Sequence, residues 1–241
     1  MPWPNSSLDV FSDQQFFLEH GDTAYWYQAQ LCSCGTNPGA PSDVARAVTT
    51  CKVCGGLGRF YPGSPTFIRG IISNAMQDRE ILEAGMAVSS DDLVWSADPY
   101  SQGPISPFDM LVFSGDPHTW PFEGQVVNRT NGSMTDNLWY TASDIVSIMQ
   151  SDPYSGAITD YTNSGVTFSG KTLDWTNATS SPQANTAYSV KYRAQYEWVA
   201  FAPPLVRFEH GQSFGQKVIL RKRHMVINSA LSANNGSLLQ A

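Results

Sequence analysis

Charge is scarce in this 241-residue chain. Asp, Glu, Lys and Arg make up 15% of it, and the balance is acidic, with 21 Asp+Glu against 14 Lys+Arg. An acidic chain has no general electrostatic hold on phosphate backbones, which argues against non-specific nucleic-acid binding. No run of about eighteen apolar residues occurs, so no transmembrane helix and no membrane partner are expected. The opening Met1-Pro2-Trp3-Pro4-Asn5 has neither a basic nor an apolar stretch and is not read as a signal peptide. Histidine is limited to His20, His118, His210 and His224, read as surface or turn residues. A G-x-S-x-G elbow, a Walker loop and an H-E-x-x-H helix are all missing. The carboxylates form no pair that can be named for acid–base work, so no catalytic residue is assigned and an enzyme is not expected. Asp91, Asp92 and Asp109 are residue types that could bind a cation, but Asp91 and Asp92 point to opposite sides of an extended chain, and a solvated turn is the reading taken.

Cysteine is scarce too, but its placement is informative. The four residues form two close pairs, Cys32-Ser33-Cys34 and Cys51-Lys52-Val53-Cys54. A C-x-C and a C-x-x-C joined by the loop 35–50 supply four soft thiolates from two tight corners, the set that a tetrahedral zinc ion takes. Gly55, Gly56 and Gly58 follow the second pair, and they let the chain turn so that backbone N–H groups face the sulfurs. The spacing predicts a structural zinc knuckle with Cys32, Cys34, Cys51 and Cys54 as ligands. Two disulfides or four free thiols are the alternatives. A Cys32–Cys34 bridge would close a strained small ring, whereas bridges between the pairs are geometrically open. A catalytic zinc keeps an open position and usually recruits His or carboxylate. Here the thiolate set is full, and no His lies between residues 21 and 117, so the metal is expected to hold shape. Thiolate ligation without a leader points to synthesis in a reducing cytoplasm. The N-x-S/T sequons at Asn5, Asn128, Asn131, Asn177 and Asn235 are then chance matches.

Aromatics reach 12%, and 19 Gly and 15 Pro punctuate the chain, the composition of a mainly β protein with few short helices. The expected organisation is an N-terminal segment with the knuckle (1–65), a small β-barrel-like domain (66–135), a β-sandwich-like domain (136–228) and a flexible C-terminal arm (229–241). The domain boundary is placed in 128–136. A helical turn capped by Ser12 or Asp13 is expected to bury Phe16 and Phe17. Strands are expected at 23–31, 67–73, 109–113, 172–175, 187–194, 199–202 and 216–227. Tyr188, Val190 and Tyr192 alternate with Ser189, Lys191 and Arg193, the period of a half-buried strand. Ile145, Ile148 and Met149 recur at helical spacing within 141–149. Residues 160–168 carry a hairpin signature turning at Gly165. The loop Asn37–Pro41 and one helical turn over 43–48 fill the knuckle. The basic run Arg221-Lys222-Arg223-His224 is read as a solvated or interface face of an edge strand. The seven Trp are read as core and interface filling.

Two stretches resemble tailed-bacteriophage virion proteins. The strand, C-x-C and C-x-x-C-G-G-x-G stretch, followed by Phe60-Tyr61 and Ile68-Arg69-Gly70-Ile71-Ile72-Ser73, is similar to the N-terminal part of neck and head-to-tail connector proteins. The stretch Asp160-Tyr161, Leu173-Asp174-Trp175, Pro182 and Ala187-Tyr188-Ser189-Val190-Lys191-Tyr192 resembles an immunoglobulin- or fibronectin-III-like β motif of phage structural proteins. DnaJ-type chaperones share single C-x-x-C-x-G-x-G units, but they carry four of them and two zinc ions. The phage resemblance implies a non-catalytic virion protein with structural Zn2+, made in the host cytoplasm. It would form a ring of identical copies between portal and tail, meeting portal, tail terminator or tail tube. DNA would pass without sequence-specific binding. The alternative is a β-rich tail-associated adhesion or carbohydrate-binding module.

Overall fold

The computed structural model describes residues 10–34, 51–54, 57–83, 85, 88–98, 104–201, 204–209 and 212–226. The loop Asn37–Pro41, the helical turn over 43–48 and the arm 229–241 fall outside these. In chain order the strands are β1 (Asp22–Tyr27), β2 (Gln30–Leu31), β3 (Arg59–Phe60), β4 (Thr66–Asn74), β5 (Leu93–Ala97), β6 (Met110–Phe113), β7 (Phe122–Asn128), β8 (Thr135–Asn137), β9 (Thr141–Ser151), β10 (Ile158–Asp160), β11 (Thr167–Ser169), β12 (Thr172–Asp174), β13 (Ala187–Gln195), β14 (Glu197–Ala200), β15 (Leu205–Glu209) and β16 (Gln212–Lys222). Among the described residues the helices are α1 (Val10–His20) and α2 (Arg79–Glu83), with single 3-10 turns at Ala75–Gln77 and Pro117–Thr119; residues 223–226 are also helical, so the strand expected over 216–227 stops at Lys222. The protein is mainly β, as its composition implies. It divides into two units, 1–114 with 197–241, and 115–196.

The first unit is a closed antiparallel barrel. Its strands run in the order β14-β6-β1-β4-β5-β16, and β16 pairs back onto β14 to close the ring, with β15 added beside β16. Closure leaves no free edge within the ring itself. Ala24 and Trp26 of β1 point inward and are buried. Tyr25 between them points out and meets Phe67 of β4 edge-on at 5.8 Å. Gly70 makes room for the core: a Cβ there would lie 2.5 Å from Trp95 Cε2. The strand expected over 23–31 breaks after Tyr27, because the Ala29 N–H turns to donate to the buried carboxylate of Asp109 at 2.8 Å. In α1, Phe17 is buried and Phe16 is half exposed, so only one of the two phenylalanines expected inside is there.

The basic run does not lie on an edge strand. It begins in β16, which is paired on both sides. Arg221 grips Asp92 with two bonds (2.8 and 2.6 Å) and lies over the Phe201 ring at 3.8 Å. Arg223 meets Glu197 at 2.7 Å. Asp92 is fully buried, so the solvated turn expected at Asp91-Asp92 is corrected for that residue: a buried carboxylate is tolerated because a guanidinium and the Ser89 N–H satisfy it.

Strands β6 and β14 pair with each other, Leu111 opposite Trp198. The second unit, 115–196, is therefore spliced into what would otherwise be a hairpin connection. It is a sandwich of a four-stranded sheet, β10-β9-β13-β7, and a three-stranded sheet, β11-β12-β8. Tyr140, Ile148, Leu173, Trp175, Tyr188 and Val190 fill the core between them. The alternation expected along β13 is present, with Tyr188, Val190, Tyr192 and Ala194 buried. Of the residues around the boundary expected at 128–136, Asn128 ends β7 and Asp136 sits within β8. Asp136 is buried and accepts from Arg129 Nη1, Trp175 Nε1 and Tyr188 Oη at 3.1, 3.0 and 2.7 Å.

Two local expectations fail in this unit. Residues 141–149 form strand β9, not a helix. Ala142, Ile145 and Ile148 stand opposite the inward residues Ala194, Tyr192 and Val190 of β13, and the register slips at Ser143 and Val146. Two bulges thus stretch the inward spacing from two residues to three, which in sequence imitates a helix. The hairpin expected over 160–168 also does not form. Asp160 pairs with Met149 of β9, while Thr167 pairs with Asp174 of β12. The segment crosses from one sheet to the other, and the true hairpin turns at Gly170-Lys171.

Candidate metal centre

A two-stranded stem, β2 with β3, carries the knuckle: Gln30 stands opposite Phe60 and Leu31 opposite Arg59. The ladder continues one step, with the Cys32 N–H donating to the Gly58 carbonyl at 2.9 Å. Gly58 has φ +72°, a left-handed conformation that glycine adopts without steric cost. The C-x-x-C corner closes with the Leu57 N–H donating to the Cys54 carbonyl at 3.1 Å. Each cysteine pair therefore sits at a tight corner at one end of the stem.

Cys32, Cys34, Cys51 and Cys54 all come together, as their spacing implies. Their four sulfurs lie within 4.8 Å of one another. Cys32 Sγ is 3.7 Å from Cys51 Sγ, and Cys34 Sγ is 3.4 Å from Cys54 Sγ. No two are bonded as a disulfide. A tetrahedral ion with metal–sulfur distances of about 2.3 Å needs sulfurs about 3.8 Å apart, so the set fits a four-thiolate metal ion. Cys32 and Cys54 are buried, and Cys34 and Cys51 are half-buried. Among the described residues this is the one grouping of three or more His, Cys, Asp or Glu with such geometry.

The backbone prepares the sulfurs for ligation. N–H groups of Cys54 and Val53 face the Cys51 thiol and, with the Cys34 side chain, hold its pKa down at about 6. Cys32 lies above its ordinary value. The Cys34 backbone N–H draws it down, but burial and the neighbouring Cys51 and Cys54 thiols raise it further. A thiolate that accepts backbone N–H groups is stabilised as the charged form a metal needs.

The knuckle is pinned to the barrel unit by its own following residues. Leu57 is fully buried in a cluster with Val199 and Val226, flanked by Tyr61, Phe108 and Phe201. Tyr61 Oη donates to the Phe108 carbonyl at 3.0 Å, and the Arg59 guanidinium lies 5.0 Å from the centre of the Phe108 ring. Phe108 has φ +72°, a conformation that costs a non-glycine residue energy and persists only where neighbours enforce it. Its N–H donates to the Ala200 carbonyl at 2.7 Å.

No local sequence pattern marks these supports. Asp109, read with Asp91 and Asp92 as a solvated acid, is instead buried, and its carboxylate accepts from Trp26 Nε1, the Ala29 N–H and the Ser106 N–H, each at 2.8 Å. The three bonds tie β1 to the segments at Ala29 and Ser106 around a buried carboxylate. No protein-family model matches the chain, and no curated protein matches it significantly. Among the described residues, no helix is long and apolar enough to cross a membrane.

Proposed function

We propose that this chain is a non-catalytic structural protein in which a zinc ion on Cys32, Cys34, Cys51 and Cys54 fixes a small lobe onto a β-barrel. The observation that carries this reading is the set of four converging cysteine sulfurs: a tetrahedral ion held there would have all four positions filled by sulfur, leaving none for substrate or water. Zinc is the metal such a set favours in a cytoplasm, and a structural zinc contributes folding free energy directly. The protein works by assembly. Its low charge and exposed aromatics, among them the Tyr25–Phe67 pair, suit burial against other subunits. The resemblance of its cysteine and Asp160–Tyr192 stretches to tailed-phage proteins makes the assembly a ring in the neck of a virion. Portal, tail terminator or tail tube would be its neighbours, and contacts in the ring would run head to tail and close by rotation.

Light scattering on the purified protein tests the assembly, with and without a chelator. A closed multimer of uniform size that dissociates or unfolds as zinc leaves supports it. A chain that stays monomeric at every concentration, alone and mixed with a phage portal, contradicts it.

A further inference from the structure

The unit 115–196 holds a cleft for which a zinc-stabilised assembly protein has no use. It opens between the end of β9, the tight loop 152–157 and the loop leading into β13, and its volume is about 610 Å³, within the range of roughly 300–1,000 Å³ typical of small-molecule sites. We propose that this cleft binds a neutral saccharide, with Tyr154 as the stacking platform and Gln150, Asp152 and Thr186 as hydrogen-bonding partners of the sugar hydroxyls.

Tyr154 carries the first part of the argument. Its side chain is 98% exposed, although a tyrosine of a compact domain usually lies at least partly covered. The loop holding it is not loose. Asp152 N–H donates to the Ala157 carbonyl and Gly156 N–H to the Asp152 carbonyl, each at 2.9 Å. The Asp152 carboxylate accepts from the Tyr154 N–H at 2.9 Å and from Ser155 Oγ at 2.5 Å. An aromatic ring is thus offered to solvent from a backbone fixed in advance, which lowers the entropy cost of binding.

The polar wall is fixed in the same way. Gln150 Nε2 donates to Thr186 Oγ1 at 2.9 Å, and Gln150 Oε1 accepts from Tyr161 Oη at 3.2 Å. Thr186 Oγ1 donates in turn to the Gln183 carbonyl at 2.6 Å. The amide of Gln150 is thereby oriented, and one N–H and one lone pair remain for further hydrogen bonds. An oriented amide, a carboxylate and a hydroxyl beside an exposed ring suit a ligand with an apolar face and a rim of hydroxyls.

Charge selects among such ligands. No Lys or Arg lines the cleft. The Ser155 hydroxyl, followed by the Tyr154 N–H, lowers the pKa of Asp152 and keeps it anionic. Phosphates, uronic acids and sialic acids would meet an uncompensated carboxylate there, whereas a neutral sugar hydroxyl donates to it.

Saturation-transfer NMR on the full-length protein tests this with glucose, galactose, rhamnose, N-acetylglucosamine and their short oligomers, with sialyllactose as the anionic control. At least one neutral sugar should bind, and Tyr154→Ala should weaken it tenfold or more. Gln150→Ala should also weaken it, and sialyllactose should not bind. Tyr154 is exposed, so its replacement leaves the fold intact, which circular dichroism checks. The proposal is overturned if no neutral sugar binds, if binding survives both substitutions, or if sialyllactose binds as well as the neutral sugars.

Discussion

The hydroxyl of Tyr61 donates to the carbonyl of Phe108 at 3.0 Å. This bond joins the strand leaving the cysteine knuckle to the residue that holds a left-handed backbone just before β6. Burial raises the Tyr61 pKa well above its ordinary value, so the phenol stays protonated and able to donate throughout the working range. Tyr61→Phe should remove about 1 kcal/mol of barrel stability while leaving the ring packing in place. Denaturant unfolding would read the loss. An unchanged midpoint would mean that the bond does not support Phe108.

The Asp92–Arg221 pair holds β16 to the turn before β5 from inside the barrel unit. Asp92 is fully buried and the Arg221 side chain is 16% exposed. Asp92→Ala leaves a guanidinium with its main partner gone, and such a loss costs about 3–5 kcal/mol. Thermal unfolding should show the barrel strongly destabilised. A change within about 0.5 kcal/mol, as for an ordinary surface site, would show that the pair is solvated in solution.

Cys51 should behave as a thiolate at neutral pH once the metal is removed. Its folded pKa is about 6 against an ordinary 9.0. The folded pKa is the lower one, so the group's contribution to metal-free stability is fully present above pH 9 and is lost as pH falls through 6. Alkylation of chelated protein by iodoacetamide, mapped by peptide mass, should label Cys51 first, with a midpoint near pH 6. A midpoint near 9 would mean that the Val53 and Cys54 N–H groups do not reach its sulfur.

The splice point of the second unit is equally testable. Val112 stands opposite Glu197 in the barrel, and Phe122 stands opposite Arg193 in the sandwich, so each unit has its own two chain ends side by side. Replacing 115–196 by a two-residue Asn-Gly turn should leave a folded, metal-binding barrel, and the segment 115–196 alone should fold. Both are read by dispersed amide NMR spectra. A collapsed spectrum from either piece would contradict this division.

What could be read in the sequence was what is local in it. The four sulfur ligands lie in two short motifs, and metal chemistry constrains their spacing directly. Strand β13 was legible because Tyr188, Val190 and Tyr192 keep a strict period of two. Strand β9 was not, because the bulges at Ser143 and Val146 reset its period to three. The strand order of the barrel was hidden for another reason: β14 pairs with β6 and β16 with β5 across the whole inserted segment 115–196, and no local pattern records such pairing. Arg221 and Asp92 are 129 residues apart, so each looked like a surface charge until the fold brought them together.

Native mass spectrometry of the purified chain, with and without chelator, tests the central claim most directly. One zinc per chain, lost together with the order of the knuckle when chelator is added or Cys51 is replaced by Ser, is the expected result. A metal-free chain lighter by four hydrogens, with its cysteines paired as two disulfides, would contradict the zinc centre and the assembly role built on it.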